Sequence, residues 1–284
     1  MARSSNITAG RRKPEVTELL TLHVLRTERV STGFVRVTLG GGDAARFRPM
    51  GYDQWFRLFI PVADDAVLSR LPNKLDTLAY LKYLAIARTE RPVLRNYTVR
   101  AHRPDGPDGP ELDVDFVLHG TPEDGTSGPA ATWAQTCAPG DAVAILDEGI
   151  TFPAATAHDR VLLVADETGL PAVAGILGSL GAGARGVAVV EVPHADDVQE
   201  VVAPAGVQVR WVVRDDPHAV AGPAALAAVE ALPVPVPDEP VTAWVVGEQS
   251  LVAAARRHWV AAGVPKQDVT FCGYWRAAKA RAAA

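Results

Sequence analysis

The second half of the chain alternates short apolar runs with alanine- and leucine-rich stretches, and this alternation restricts the fold more than any other feature. Five runs of strand length follow Phe152-Pro153, at 160–166, 186–192, 207–214, 242–247 and 268–274. Helix-compatible segments separate most of them, at 170–180, 219–232 and 249–262. Such β-α-β alternation favours a five-stranded, doubly wound parallel sheet.

The first half of the chain has a different texture, with short alternating runs separated by turns. Strand-like runs lie at 19–27, 33–39, 55–61, 94–101, 112–119 and 142–146. Turn-rich segments lie among them at 107–110 and 121–129. Short strands with frequent turns predict a small antiparallel barrel. We therefore expect two domains, an antiparallel β-barrel at 15–153 and a parallel α/β domain at 154–284.

One segment interrupts the predicted barrel. Residues 73–88 carry apolar side chains at helical spacing, namely Leu75, Leu78, Tyr80, Leu81, Leu84 and Ile86. This spacing predicts an amphipathic helix that covers one end of the barrel. The alternative is a helix that shapes the entrance for a substrate.

Composition argues against several functional classes. The 284 residues carry a formal net charge of −5, which gives no reason to expect nucleic acid or an anionic membrane as partner. Two cysteines outside any CxxC pattern and seven scattered histidines predict no intrinsic metal site. The sequence contains no run of about 18 apolar residues, so no membrane-spanning helix is expected. The basic N-terminal segment lacks the apolar stretch of a signal peptide. We expect a cytoplasmic monomer.

The most chemically suggestive stretch is RNYTVR at 95–100, inside a predicted strand. On an extended strand Arg95 and Tyr97 project to one face, and Thr98 and Arg100 project to the other. The phenol can lie against a ring system, the threonine hydroxyl can bond to the ring's edge, and an arginine fork can bind a diphosphate. This set suits a bulky ligand with an aromatic ring and a phosphate. The alternative is an ordinary strand with one solvated edge.

A second segment could approach the same phosphate. The small residues Gly128, Ala130 and Ala131 leave room for close backbone approach, and Thr132 is predicted to cap the helix that follows. The free N–H groups at a helix start stabilise a diphosphate. The alternative is a loop that merely starts a helix.

The parallel strands predict another site where their carboxyl ends meet. Thr168 and Gly169 follow the first of these strands and suit a nicotinamide or a pyrophosphate, although no GxGxxG fingerprint is present. Glu191 ends the second strand and could bond both hydroxyls of a ribose, which favours NADH. Arg214 follows the third strand and could bind a 2′-phosphate instead, so both coenzymes stay open.

Five short segments occur in a fixed order along nearly the whole chain. They are RNYTVR at 95–100, DFVLHG at 115–120, GPAATWA at 128–134, DETGLPA at 166–172 and GYWR at 273–276. In this order they resemble the siderophore-interacting proteins, the ferric-siderophore reductases of the ferredoxin–NADP reductase superfamily. The resemblance implies an FAD-binding β-barrel followed by an NAD(P)H-binding α/β domain.

The resemblance also implies roles for single residues. Tyr97 would stack on the isoalloxazine of FAD and Thr98 would bond near its N5 atom, so these two are the predicted catalytic residues. Arg95 would bind the FAD pyrophosphate. Arg100 is a further predicted contact, with a structural ion pair as the alternative. The other predicted cofactor contacts are Asn96, Val117, Leu118, His119, Gly128, Ala130, Ala131, Thr132, Trp133, Asp166, Glu167, Thr168, Gly169, Tyr274 and Trp275.

The end of the chain supplies the last predicted contacts. Tyr274 and Trp275 would shield the second face of the isoalloxazine until nicotinamide displaces an aromatic ring; a hydrophobic plug at the domain interface is the alternative. Arg276 and Lys279 would add positive charge for an anionic ferric chelate. Cys272 lies where related reductases place a cysteine beside the transferred hydride, and an inert buried thiol is the alternative.

By this resemblance, the chain is an FAD-dependent NAD(P)H:ferric-siderophore oxidoreductase, which reduces chelated Fe(III) to Fe(II) and so releases the iron. A ferredoxin is a further candidate electron partner. One alternative is a flavin reductase of the same architecture with another acceptor, such as free flavin, a quinone or a soluble iron chelate. Another alternative is a carrier that binds FAD or a siderophore without turnover.

Overall fold

A computed structural model describes residues 5–7, 10–15, 17–62, 64–72, 77–120, 125–233 and 239–277. The chain divides into two compact units. One unit spans Arg12–Ile150 and is called here the antiparallel unit. The other, the parallel unit, combines the residues up to Arg11 with those from Thr151 onward.

The antiparallel unit contains strands β1 Leu19–Arg29, β2 Phe34–Gly40, β3 Trp55–Ile60, β4 Val93–Thr98, β5 Ala101–Gly106, β6 Gly109–Val117 and β7 Ala142–Gly149. Helices α1 Thr77–Ala85 and α2 Pro129–Thr136 belong to the same unit. The strands form one curled, half-barrel sheet in the order β4-β3-β7-β1-β2-β6-β5, which confirms the predicted antiparallel architecture. The single strand predicted at 94–101 is wrong: β4 pairs with β3, and β5 pairs with β6.

Strand β6 shows how alternation builds this sheet, because successive side chains go to opposite faces. The even-numbered residues of 112–116 enter the hydrophobic core. The alternate residues Glu111, Asp113 and Asp115 are also buried, since arginines from neighbouring segments cover them. The ion pairs are Arg26–Glu111, Arg36–Asp115, Arg100–Asp115, Arg103–Glu111 and Arg103–Asp113.

The helix predicted at 73–88 is present as α1, and only part of its apolar side is buried. Tyr83, together with Ile86 just after the helix, packs in a core cluster with Phe59. The exposed apolar side chains of this helix are Leu78, Tyr80, Leu81 and Leu84. Leu75 lies outside the described residues. Tyr83 and Ile86 therefore provide the contact between this segment and the core of the antiparallel unit.

The parallel unit contains strands β8 Arg160–Ala165, β9 Arg185–Val192, β10 Gly206–Val213, β11 Val241–Glu248 and β12 Val269–Trp275. Helices α3 Leu170–Ser179, α4 Pro223–Glu230 and α5 Gln249–Ala261 connect most of them. The strands are all parallel in the order β10-β9-β8-β11-β12, which confirms the predicted doubly wound sheet. From β8 the chain adds β9 and β10 on one side of the sheet and then β11 and β12 on the other. This places a topological switch point between β8 and β11, where ligands bind in such sheets. None of the helices in the described part of the chain is long and apolar enough to cross a membrane.

Residues near the N-terminus extend the parallel unit. Ser5 forms an antiparallel bridge with Cys272 of β12. The Asn6 side chain behaves like a peptide group: its Nδ2 donates to the carbonyl of Val269 at 2.8 Å, and its Oδ1 accepts from the N–H of Phe271 at 2.9 Å. These bonds occupy backbone groups of β12, the last strand of the sheet.

Candidate functional site

Strand β4 brings the first candidate residues together at the edge of the antiparallel sheet. Tyr97 lies opposite Phe56 of β3, and Arg95 lies opposite Leu58, so the two share one face as predicted. Arg95 is exposed. Its guanidinium donates to the neighbouring carbonyl of Leu94 at 2.8 Å and has no carboxylate partner within the described part of the chain. The positive charge of Arg95 is therefore available to an anionic ligand.

Tyr97 packs against aromatic residues of the core. Its ring centroid lies 4.3 Å from that of Phe116, which in turn lies 5.6 Å from that of Trp133 in α2. Burial raises the pKa of Tyr97, so the phenol stays neutral at physiological pH. The half-buried ring is thus held at a fixed tilt while part of its surface remains accessible.

Thr98 is 8% exposed, yet its hydroxyl has no hydrogen-bond partner among the described residues. This oxygen is not among the fully buried polar atoms that lack a partner. The hydroxyl next to Tyr97 in sequence is therefore available to water or to a polar ligand atom.

Helix α2 begins at Pro129, and Gly128 is its N-cap. The N–H of Thr132 donates to the carbonyl of Gly128 at 2.9 Å, so Thr132 lies inside the helix and the prediction that it caps the helix is wrong. No side chain caps α2, so the backbone N–H groups of its first turn keep no side-chain acceptor. Ala130 belongs to the cluster on which Tyr97 packs, which brings this helix start into the same region as β4.

Other predicted contacts in the antiparallel unit differ in environment. Val117 and Leu118 are half-buried at the end of β6, whereas Asn96 and His119 are exposed. Arg100 lies beyond β4, and its Nε is 3.3 Å from Oδ2 of Asp115. Burial lowers the pKa of Arg100. The structure therefore contains the ion pair that was the alternative for Arg100, and a direct ligand contact from it stays a prediction.

In the parallel unit, Asp166 links the ends of three strands at the switch point. Its side chain is buried and accepts bonds from the N–H and hydroxyl of Thr168 at 2.9 and 2.5 Å. It also accepts from the N–H of Glu248 at 2.6 Å and from Nε1 of Trp275 at 2.9 Å. Gly247 has a φ of +123°, and a Cβ there would come 2.5 Å from Oδ2 of Asp166. The carboxylate is therefore occupied by the protein itself.

Gly169 also has a packing reason to be glycine. A Cβ at this position would lie 2.5 Å from Cγ2 of Val246 and 2.7 Å from the Cβ of Ala165. The residue thus allows the turn after β8 to lie close against β11. Contacts from Thr168 and Gly169 to a coenzyme stay predictions.

Glu167, Arg214 and Glu191 form a buried ion cluster. Arg214 contacts Oε1 of Glu167 at 2.8 Å and Oε1 of Glu191 at 3.2 Å. Glu191 also accepts from the N–H groups of Gly222 and Ala225 at the start of α4. Glu191 and Arg214 were open alternatives for binding a ribose or its 2′-phosphate. The structure instead pairs them with each other in the interior.

Burial, more than any other influence, raises the pKa of Glu167 to about 7, from 4.5. The raised pKa means that the stability contributed by the protonated carboxyl is present below pH 4.5 and is lost as the pH rises through 7. Since a tenfold change in proton affinity corresponds to about 1.4 kcal/mol, this loss is on the order of 3 kcal/mol.

We expect Glu167→Gln to remove this part of the pH dependence. As the pH rises from 5 to 8, the variant should become more stable relative to wild type, as measured by denaturant titration. Glu200→Gln, at an exposed position, is the control and should show no such change. A difference between Glu167→Gln and wild type that is the same at both pH values would contradict the assignment.

The last strand ends in aromatic residues of different environments. Trp275 is half-buried and its indole is bound to Asp166, so displacing it would break that bond. Tyr274 is 42% exposed and is the more accessible ring. Arg276 is exposed, and Lys279 lies outside the described residues. Burial raises the pKa of Cys272 to about 11, so this residue is a neutral thiol at pH 7.

Two family models match the chain one after the other. A siderophore-interacting FAD-binding domain matches residues 23–151, and a siderophore-interacting protein model matches residues 158–278. The chain belongs to the siderophore-interacting proteins. All but the last residue of the FAD-binding match belongs to the antiparallel unit. FAD is the cofactor of this family member, and the predicted cofactor is confirmed.

Sequence relatives of this siderophore-interacting protein include named reductases. The ferric vibriobactin reductase of Vibrio cholerae is 30% identical over 236 residues, covering 83% of this chain and 81% of the relative. The NADPH-dependent ferric-chelate reductase of Escherichia coli is 28% identical over 259 residues, covering 90% and 92%. The chain is accordingly an oxidoreductase, as predicted.

Solved structures agree with this fold. A siderophore utilization protein from T. fusca is 30% identical with a TM-score of 0.71, covering 94% of this chain and 96% of that one. The siderophore-interacting protein SipS from Aeromonas hydrophila is 28% identical with a TM-score of 0.68, covering 92% and 100%. An Amycolatopsis cytochrome P450 reductase, 18% identical with a TM-score of 0.62 and covering 91% and 70%, shares the fold alone.

The residues of β4 and α2 fit FAD on three counts. Arg95 supplies an exposed guanidinium without a carboxylate partner in the described residues, α2 supplies an uncapped helix start, and Thr98 supplies a hydroxyl that is available to a ligand. Sequence reasoning missed Phe116, whose ring supports Tyr97. Its position on the core face of an alternating strand was the signal that could have identified it.

Proposed function

We propose that this siderophore-interacting protein is an NAD(P)H-dependent ferric-siderophore reductase. The trio Arg95, Tyr97 and Thr98 carries the proposal, because it presents a cation, an aromatic ring and an unpartnered hydroxyl along one strand of the FAD-binding region. The relatives from Vibrio cholerae and Escherichia coli, named as ferric reductases, support a chelated Fe(III) substrate.

The chain's own residues bind and orient under this proposal. Arg95 donates to the pyrophosphate together with the first-turn N–H groups of α2. Tyr97 offers a neutral ring, held by Phe116, for stacking. Thr98 donates its hydroxyl to the edge of the ring system without blocking it. Bound FAD supplies the conversion of a two-electron donor into one-electron reduction of iron.

Release of the metal follows from its coordination chemistry. Hard oxygen ligands hold Fe(III) strongly, and Fe(II) is a poorer match for them, so reduction loosens the chelate. No protein ligand to iron is needed, because the iron arrives in its own chelator. The predicted roles of Arg276 and Lys279, as a basic contact for the anionic chelate, remain part of this proposal.

Gly128 provides a test of the helix start. Its φ of −69° and ψ of 153° suit any residue, and a Cβ there meets no protein atom within 4 Å. Valine is a poorer N-cap than glycine, so we expect Gly128→Val to lower the free energy of unfolding by no more than about 1 kcal/mol. The same variant should weaken FAD binding by about tenfold or more, because the added side chain takes the space of the diphosphate.

Fluorescence titration of flavin-free protein with FAD, combined with denaturant unfolding, measures both effects. Gly181→Val is the matched control, since a Cβ at that position in the parallel unit also meets open space. Unchanged FAD affinity in Gly128→Val would remove α2 from the proposed site.

The proposed reaction is tested on purified, FAD-loaded protein. Anaerobic NADH or NADPH should bleach the yellow colour, and a ferric siderophore should restore it. Two Fe(II) ions should form for each NAD(P)H oxidised, as measured with a ferrous-specific chelator. Equal rates with ferric siderophores, free flavin, a quinone and ferric citrate would favour a general flavin reductase, and absence of bleaching would favour a carrier.

Two further predictions about partners belong to the same proposal. A reduced ferredoxin is a candidate electron donor, and its rate can be compared with those of the two nicotinamide coenzymes. The monomeric state is tested by light scattering during gel filtration.

A further inference from the structure

The carboxyl ends of β9 and β10 carry acidic residues and little positive charge. The six residues after each of these strands, 193–198 and 214–219, contain a single arginine, Arg214, and no lysine. They contain four acidic residues, which are Asp196, Asp197, Asp215 and Asp216. In doubly wound sheets this part of the edge receives the adenosine ribose of a dinucleotide.

Arg214 cannot serve as a phosphate ligand without breaking existing ion pairs. Its side chain is 5% exposed and contacts both Glu167 and Glu191. Glu191 is held in turn by the N–H groups of Gly222 and Ala225. One guanidinium is thus shared by two buried carboxylates, and its charge is neutralised within the sheet.

The acidic residues that follow Arg214 are accessible. Asp215 and Asp216 are both exposed directly after β10, and the N–H of Arg214 donates to the carbonyl of Val192, which places this turn beside the end of β9. Asp216 also accepts from the N–H of His218 at 2.9 Å, which fixes the turn locally. Two exposed carboxylates accept hydrogen bonds from a ribose diol and repel the dianionic 2′-phosphate of NADPH.

We propose that the parallel unit selects NADH over NADPH, with Asp215 and Asp216 as the specificity-determining residues; this inference rests on the proposed reductase function. The buried Glu167–Arg214–Glu191 cluster has a supporting role, because it removes the one arginine at this edge that could neutralise a 2′-phosphate. The two exposed carboxylates then discriminate between the ribose hydroxyl and its phosphate ester.

The first test compares the two coenzymes at pH 8. Anaerobic stopped-flow reduction of the FAD-loaded protein should be at least tenfold faster with NADH than with NADPH at limiting coenzyme. Independently of turnover, calorimetry should show that adenosine 5′-monophosphate binds more tightly than adenosine 2′,5′-bisphosphate. The opposite order in either measurement overturns the inference.

A charge reversal identifies the residues. Asp216→Arg should shift the NADPH-to-NADH rate ratio by at least tenfold towards NADPH and should shift the calorimetric affinity ratio in the same direction. Glu230→Arg is the matched control, because it makes the same charge change at an exposed position at the C-terminal end of α4 in the same unit. Equal shifts in both variants would overturn the assignment to Asp216.

The failure of this inference is distinguishable from failure of the proposed function. If neither coenzyme bleaches the flavin, the reductase proposal fails, and the calorimetric comparison of the two adenosine phosphates still decides the preference. If both coenzymes bleach it at equal rates and the two phosphates bind equally, the reductase proposal stands and the selection of NADH is wrong.

Discussion

Replacing Arg95 by alanine should release most of the FAD while leaving the fold unchanged. The side chain is exposed and donates only to its neighbour's carbonyl in the described structure, so its removal disrupts no core contact. A hydrogen bond to a charged group contributes about 1.5–3 kcal/mol, so the FAD dissociation constant should rise by roughly 10- to 150-fold. After gel filtration, the absorbance of the flavin at about 450 nm is divided by that of the protein at about 280 nm. This ratio, together with an FAD titration, measures the loss of FAD.

Arg48→Ala is the matched control for this experiment. Arg48 is also an exposed arginine of the antiparallel unit, and it donates to the carbonyls of Ala45 and Phe47. Its variant should keep full flavin occupancy. Salt should weaken FAD binding to wild type more than to Arg95→Ala, because screening acts on the charge that the variant lacks. Full FAD retention by Arg95→Ala would contradict the proposal that Arg95 binds the FAD pyrophosphate.

Replacing Asp166 by alanine should destabilise the parallel unit by about 3–5 kcal/mol, a large effect for one residue. The change removes a charged acceptor and leaves the N–H groups of Thr168 and Glu248 and the indole of Trp275 without their partner. Asp166→Asn keeps the shape and one oxygen, so it should cost less. Denaturant unfolding followed by tryptophan fluorescence measures the loss of stability.

Asp159→Ala is the control for the Asp166 variants, since Asp159 is exposed and lies just before the same strand. It should change the free energy of unfolding by less than about 0.5 kcal/mol. Should Asp166→Ala prove as stable as Asp159→Ala, the bonds that join the strand ends contribute little and Asp166 is free for a direct role with a ligand.

The strand patterns were predictable because burial requires them. β8, β9 and β11 are largely apolar on both faces, and the sheet that contains them has helices α3 to α5 between most strands, as the alternation indicated. The strand carrying Arg95 and Tyr97 was also predictable, since its residue alternation survives in the pairing with β3. These features depend on local periodicity, which a sequence displays directly.

The partners of the buried charged side chains were not predictable from the sequence. Asp166 and Glu167 follow a parallel strand at the edge where ligands bind, so sequence reasoning assigned them to a cofactor. The structure shows that Asp166 bonds to donors as distant in sequence as Trp275, and that Glu167 pairs with Arg214. Similarly, the arginines that cover Asp115 come from β2 and from the turn after β4. Such partners are decided by tertiary packing, which no local pattern encodes.

The pairing of Ser5 and Asn6 with β12 has a consequence for producing the parallel unit by itself. A shortened gene that starts at Thr151 would omit these residues and uncover the backbone groups of Val269 and Phe271. Unprotected strand edges recruit other chains and promote aggregation. To produce the parallel unit alone, the segment that contains Ser5 and Asn6 would therefore be joined to Thr151 through a flexible linker. The fragment would then keep the contacts that cover the edge of β12.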